Sequence, residues 1–507
     1  MKKNAFLLTI FFTAFCANAQ ESSEHTRLKE NAKQHLINLI NIDTSQPDGN
    51  EIAAARYIYK VFNEYGIDWE VYQPEKNRAS ISAIIKGTDK KEKPLILLSH
   101  LDTVAPTSAW THPPFKATVE NGRIYGLGST DDKNFVAVYL TIITWMKENN
   151  IQPKRDIIFL STADEEAGSN KGIKWLVSSK TFTLPSGAFA INEGGTIIKE
   201  KDKAPIVFVE AATKMYMDLK VTAYGHGGHS ATADKENNAV YNLSQALSKI
   251  EKLQMPHKLT PFTRKFFADI HGMQDEDAKT TIDILLGYNK HESEMAAEIV
   301  AEDPFFKTQI QDTLIPTVLS SGSETNTSSS EASAVLNCRL LPSTDPDEFI
   351  AALKSVFETD DNIFIEVLER PKTPFPQPST GEDALFKSIK KSVETLRPEA
   401  ITLMGMTPAS SDSEILRRSG VTTYGLGTVT EAAEDIAQSG RAHAANENIK
   451  EEDFYSQLDL FLNVVYNFAV ADDNLHLYFP VPTEAQQENP ETAEVPQQEQ
   501  TTLEEEA

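Results

Sequence analysis

The chain has 507 residues, with 74 Asp and Glu against 48 Lys and Arg, for a formal net charge of −26. That length exceeds what one ordinary hydrophobic core organises, so two domains with additional segments are expected. A surface this acidic repels phosphate backbones and anionic lipid, which argues against nucleic acid and membrane surfaces as partners.

The opening stretch, MKKNAFLLTIFFTAFCANAQ, joins two lysines, an apolar run and Ala17-Asn18-Ala19. It reads as a signal peptide over 1–19, cut before Gln20, so the protein is expected to be exported and to stay in a periplasm or be secreted. A lipoprotein anchor at Cys16 is disfavoured by Phe15 directly before it. Cleavage leaves Cys338 as the only thiol, which excludes an intramolecular disulfide. From 24 to 212, helical patterns alternate with short apolar strands: AAARYIYKVFNEYG, LILLSH, NFVAVYLTIITWMKENN and DIIFLST. That alternation predicts the first part of an α/β catalytic domain, a sheet with helices on both faces.

Over 213–371 the order changes to strand (YMDLKVTAYG), helix (NNAVYNLSQALSKIEKL), two strands (LIPTVLSS and SAVLNCRLLP), helix (DEFIAALKSVFE) and strand (NIFIEVLER). This βαββαβ order is the split unit of ferredoxin-like domains. A mostly helical insertion from about 255 to 312 interrupts it. The α/β pattern resumes over 372–475 as the second part of the catalytic domain. The segment 483–507 carries eight glutamates and no lysine or arginine, and with almost no large apolar residue it is expected to be a disordered acidic tail.

Ligand sites in open α/β sheets form beyond the carboxyl ends of strands. Three apolar runs end in potential ligands: LILLSH in His100, IIFLSTADEE in Asp164, Glu165 and Glu166, and AFAINEGG in Glu193. Asp131 and Asp132 follow a Gly-rich turn in YGLGSTDDK, and His443 comes far downstream in SGRAHAANENI. His100 and Asp102, two apart, fall on one side of an extended chain. Each piece alone has an ordinary structural reading, such as a solvated acidic pair or a turn. GLGSTD lacks the third glycine of a dinucleotide loop. Together, imidazoles and carboxylates without thiolates suit zinc, or else cobalt or manganese. Two histidines and three carboxylates can hold two ions if one carboxylate bridges them.

The motifs SHLDTV, YGLGSTDDK, ADEEAGS, NEGG, GHGGHSA and HAANE, in that order over roughly residues 30–470, resemble the co-catalytic zinc hydrolases. That family includes glutamate carboxypeptidase, aminoacylase, acetylornithine deacetylase and succinyl-diaminopimelate desuccinylase. The stretch WTHPPFKATVENGRIYGLGSTDDK and the insertion before Asp312 are most similar to its carboxypeptidase S branch. The resemblance implies two Zn2+, one held by His100, Asp131 and Glu193, the other by Asp131, Glu166 and His443, with Asp131 bridging. It implies Glu165 as general base and Asp102 as the partner of the far nitrogen of His100.

It further implies that His229, in GHGGHSA, stabilises the tetrahedral oxyanion from the other subunit of a homodimer formed through the inserted lid/dimerisation domain. Arg339 would grip a substrate carboxylate, and Asn326 would contact the reacting centre. ETNTSSSEA departs from the family pattern around Asn326, and SATADKENNA after His229 lacks the usual proline; neither touches a metal ligand. The expected activity is carboxypeptidase-like cleavage of an amide bond whose amine side becomes a free amino acid. The alternative is an N-acyl amino acid hydrolase. A non-catalytic relative is countered by the presence of the base and of every ligand position, and a serine hydrolase around Ser230 or Ser411 lacks the G-x-S-x-G elbow.

Overall fold

The computed structural model describes residues 23–199, 203–432 and 442–470. The expected signal peptide and acidic tail lie outside the described residues. Leu28–Ala471 forms one compact unit; of a second unit made by the two chain ends only 23–27 are described, and they are helical. No helix among the described residues is long and apolar enough to cross a membrane.

A ten-stranded mixed sheet organises the larger unit. Its centre runs Ile157–Thr162, Leu95–His100, Phe189–Asn192 and Thr422–Gly425, all mutually parallel. Every residue of Leu95–His100 and Ile157–Thr162 is buried, which explains why both read as unbroken apolar runs and not as alternation. Ile96, Leu98, Ile158 and Leu160 pack with Ile173, Leu176, Ile415 and Leu416 of two short helices. Phe159 points the other way, and Phe62 of the helix Glu51–Glu64 meets it edge-on at 5.3 Å. The helices Lys133–Glu148 and Glu451–Ala469 join through Phe135, Tyr139 and Phe461, with ring centroids 5.4 to 6.1 Å apart. Registration of His100 with Thr162 and of Leu97 with Ile191 aligns the carboxyl ends of three adjacent strands. Side chains just past those ends must therefore share one rim.

A second sheet is four-stranded and antiparallel, in the order Thr313–Ser321, Glu331–Leu340, Met215–Tyr224, Ile363–Glu369. Only Lys214 separates its strand Met215–Tyr224 from Ile206–Thr213 of the large sheet. Along Met215–Tyr224 the alternate residues Met215, Met217, Leu219 and Val221 are buried with Leu243, Ile250, Phe349 and Leu353 of the helices Ala239–Glu251 and Pro346–Ser355. The interleaved Tyr216, Asp218 and Lys220 face the other way.

The insertion from 255 to 312 folds as four helices, Pro261–Ile270, Glu276–Leu286, Lys290–Val300 and Pro304–Ile310. Each is started by a side chain, Thr260, Asp275, Asn289 or Asp303, that accepts an amide of its first turn. Although it interrupts the chain between strands of the four-stranded sheet, its core of Phe266, Phe267, Leu285 and Ile310 is shared with Phe208 and Leu403 of the large sheet. Apolar area, not chain order, decides which sheet it covers.

Candidate active site

His100 closes its strand almost fully buried, at 2 % exposure. Its Nδ1 lies 3.0 Å from the backbone carbonyl of Asp102. A carbonyl only accepts, so Nδ1 carries a proton, and in the neutral ring Nε2 presents its lone pair. That Nε2 lies 2.9 Å from Oδ1 of Asp131. The other Asp131 oxygen, Oδ2, lies 3.3 Å from Nε2 of His443, which is also 3.0 Å from Oε2 of Glu166. One carboxylate thus divides its two oxygens between two imidazoles. His443 reaches this position from a backbone at φ +67°. The donor atoms of His100, Asp131 and Glu193, and separately those of Asp131, Glu166 and His443, lie within 4.8 Å of one another, as two metal-binding sets would require.

The field at this rim is strongly negative. Burial, reinforced by the charge of Asp131, pushes the Glu193 carboxyl up to about 8. Glu165 is pushed well above the usual carboxylate range by burial and then by Glu193. Hydrogen bonds to Asp131 and Glu166 push His443 up to about 11. Four crowded carboxylates, Asp131, Glu165, Glu166 and Glu193, face a cavity of about 780 Å³ together with His443. Such crowding is relieved by cations. An all-oxygen and all-nitrogen donor set fits two divalent ions of the zinc, cobalt or manganese kind.

Around the cluster lies a frame of buried carboxylates. The Asp102 carboxylate accepts the amides of Glu165 at 3.0 Å and Glu166 at 3.1 Å, and the Gln46 side-chain amide at 2.7 Å. The expected link from Asp102 to His100 runs chiefly through its backbone carbonyl, with the carboxylate Oδ1 at 3.5 Å. Asp132 is not at the cluster's donor face: its Oδ2 accepts the His100 amide at 2.9 Å. Asp164, a candidate ligand by position, instead turns away at φ +66°, accepts the Lys171 amide at 2.9 Å and pairs with Arg78 at 3.4 Å.

Two frame residues are not among the site residues read from the sequence, although the first closes the HAANE motif. Glu447, four after His443, accepts the Thr130 amide at 2.8 Å, the Thr130 hydroxyl at 3.0 Å and the Asp131 amide at 3.3 Å. Asp412, in the serine-rich stretch SSDSE, accepts the hydroxyls of Thr162, at 2.8 Å, and Ser169. A spacing of four between His443 and Glu447 could have flagged the first; nothing in SSDSE flags the second.

Arg339 lies on the cavity wall, its Nη1 donating to the Ser410 hydroxyl at 3.1 Å and its guanidinium 4.8 Å from the Tyr216 ring centroid. His229 and Asn326 are not brought to the cluster within this chain. Both are exposed on the ribbon formed by Gly228–His229 and Thr327–Ser328, where the Ser230 amide donates to the Asn326 carbonyl at 2.9 Å. Neither lines the cavity that holds Asp131 and Glu165.

Comparison with known proteins gives the same direction. The mouse (Mus musculus) "N-fatty-acyl-amino acid synthase/hydrolase PM20D1" is 25% identical over 460 residues, which cover 88% of each chain. "Probable carboxypeptidase S-like 2" of Dictyostelium discoideum is 25% identical over 391 residues, covering 75% of this chain and 73% of its own. Among solved structures, the M20 family metallo-carboxypeptidase Sso-CP2 from Sulfolobus solfataricus superposes with a TM-score of 0.63 at 19% identity, over 86% of this chain and 99% of its own. The model of Peptidase family M20/M25/M40 matches residues 96–467, a span that takes in every member of the cluster from His100 to His443. The chain therefore belongs to Peptidase family M20/M25/M40 and is a hydrolase.

Proposed function

We propose that the protein is an exported di-zinc hydrolase that cuts an amide bond to release a C-terminal amino acid, in the manner of a carboxypeptidase. The observation that carries this reading is the division of the two Asp131 oxygens between His100 and His443, with Glu193 and Glu166 completing two donor sets. His100, Asp131 and Glu193 would hold one ion; Asp131, Glu166 and His443 would hold the other. Zinc bound there would polarise the scissile carbonyl and bring the pKa of the attacking water towards neutrality.

Glu165 takes a proton from the attacking water as the C–O bond forms to give a tetrahedral oxyanion, then delivers it to the departing amine as the C–N bond breaks. Asp102 keeps Glu165 and Glu166 in place through their two amides. Arg339 receives the substrate's α-carboxylate, for which its planar fork is suited. The four-stranded sheet with its two helices follows the βαββαβ order and serves as a ferredoxin-like lid and dimerisation domain. In the homodimer the exposed ribbon carries His229 and Asn326 into the partner's cavity, His229 to steady the oxyanion. N-acyl amino acid hydrolysis is the second reading, favoured by the name of the mouse relative.

The test is release of free amino acid from N-acetylated dipeptides, followed by mass spectrometry before and after chelation. Activity is expected to vanish with the metal and return with zinc. Glu165→Gln is expected to bind two zinc ions without turnover, whereas Asp131→Ala loses them. Full activity after verified metal removal would reject the mechanism.

A further inference from the structure

The cavity wall beyond the ligand cluster is polar. Among the described residues its apolar side chains are Ala167, Pro371, Ala409 and Ile415, with the ring of Tyr216. A long acyl chain gains by burial only against an apolar wall, and among the described residues no row of large aliphatic side chains lines this one. Cations line it instead, among them Lys174, Arg339 and Arg418.

Besides Arg339, whose Nη2 makes no hydrogen bond among the described residues, two of these have donors left for a ligand. Lys174 spends one hydrogen bond on the backbone carbonyl of Gly168, at 2.8 Å, and has no carboxylate within ion-pair distance among the described residues. Arg418 spends its Nε on the carbonyl of Pro374, at 3.2 Å, and its Nη1 stands 3.9 Å from Glu414, too far for a hydrogen bond. Glu414 is the carboxylate on which both charges converge, and burial pushes it up while Arg418 and Lys174 act against that. Arg417, also near Glu414, is already taken by Glu210 at 2.5 Å. Asp218, the acid beside Arg339, already accepts the Tyr216 hydroxyl at 2.5 Å and the Asn337 amide at 2.9 Å. Two positive charges with open donors thus converge on Glu414, on the wall that also carries Arg339.

We propose that Lys174 and Arg418 form a second anion subsite beside Arg339, and that the substrate is an amide bearing two carboxylates and no long apolar chain. The assignment of the first carboxylate to Arg339 rests on the function proposed above. The second can belong to an acidic side chain on the departing amino acid or to the acyl side, and the same chemistry recognises either.

Equilibrium binding to zinc-loaded Glu165→Gln protein, read by calorimetry, separates these cases independently of turnover. The pairs are N-acetyl-Ala-Glu against N-acetyl-Ala-Gln for the departing side, and N-acetyl-Glu-Ala against N-acetyl-Gln-Ala for the acyl side. The acidic member of one pair is expected to bind about tenfold tighter, the worth of one charge-assisted hydrogen bond, and Lys174→Gln or Arg418→Gln is expected to bring that ratio to about one. N-dodecanoyl-alanine is expected to bind no tighter than N-acetyl-alanine. Ratios near one in both pairs, or a clear gain from the dodecanoyl chain, would overturn the subsite. A protein that prefers the acidic member yet, with Glu165 intact, releases no amino acid keeps the subsite and overturns the hydrolytic reading; turnover without preference does the reverse.

Discussion

Glu447 offers the sharpest check on how the metal ligands are held. It is 1 % exposed, and one carboxyl oxygen accepts two amides and a hydroxyl from the Thr130–Asp131 turn that carries the proposed bridging ligand. Glu447→Ala removes the acceptor of all three part-buried donors, at up to about 1–3 kcal/mol for each. With the 3.3 Å bond counted at the lower end, the penalty is at most about 3–7 kcal/mol if the turn stays rigid. If the turn relaxes, the penalty shrinks and Asp131 moves, so the loss passes from stability to metal affinity. Burial pushes the Glu447 carboxyl up to about 8, so a neutral amide is a mild replacement, and Glu447→Gln keeps an acceptor oxygen. Thermal melts with and without zinc, combined with competition against a chromophoric chelator, measure both routes. We expect Glu447→Ala to lose about 10–100-fold in zinc affinity or several degrees of melting temperature, and Glu447→Gln to stay close to wild type. An alanine variant with unaltered melting and unaltered zinc affinity would refute the argument.

Asp102→Ala releases the amides of Glu165 and Glu166; at saturating zinc kcat should fall by about a hundredfold, as for a catalytic group displaced by about 1 Å, and an unchanged kcat would contradict the positioning role. A Cβ on Gly425 would lie 2.3 Å from the Glu193 carbonyl and 2.6 Å from Glu210 Oε2. Gly425→Ala should therefore cost about 1–3 kcal/mol and lower zinc stoichiometry, which metal analysis of the purified variant would reveal. Burial pushes His35 down to about 4, below its unfolded value near 6.5. The unfolded chain then binds more protons across that window, so stability falls as pH drops from about 6.5 to 4. Denaturant titrations of His35→Gln should show a shallower slope there, and an identical slope would remove His35 from the account. For the proposed dimer, mixing inactive His229→Ala with inactive Glu165→Gln should restore turnover in hybrid dimers, whereas no recovery at any ratio would argue against a histidine supplied by the partner.

Much of this architecture is legible in the chain because its signals are local. Leu95–His100 and Ile157–Thr162 read as short apolar strands because both faces are covered, and Met215–Tyr224 reads as a strand whose alternate residues are polar. The motif ends at His100, Glu165, Glu166 and Glu193 become neighbours because adjacent parallel strands finish at one edge of the sheet. Asp164 and Asp132 look equivalent to them in sequence, yet one backbone turn or one amide partner directs each elsewhere.

By itself the sequence determined the donor inventory, its lack of thiolates, and the alternation of strands and helices that delivers it. Only the tertiary structure decided that Asp131 splits its oxygens between His100 and His443, that the Asp102 carboxylate serves two amides in preference to an imidazole, and that the helical insertion covers the large sheet. Hydropathy and spacing report which way a residue faces along its own segment. The contacts that orient these ligands join residues as far apart as Thr130 and Glu447, 317 positions, and such pairs are set by how whole layers stack to bury apolar area.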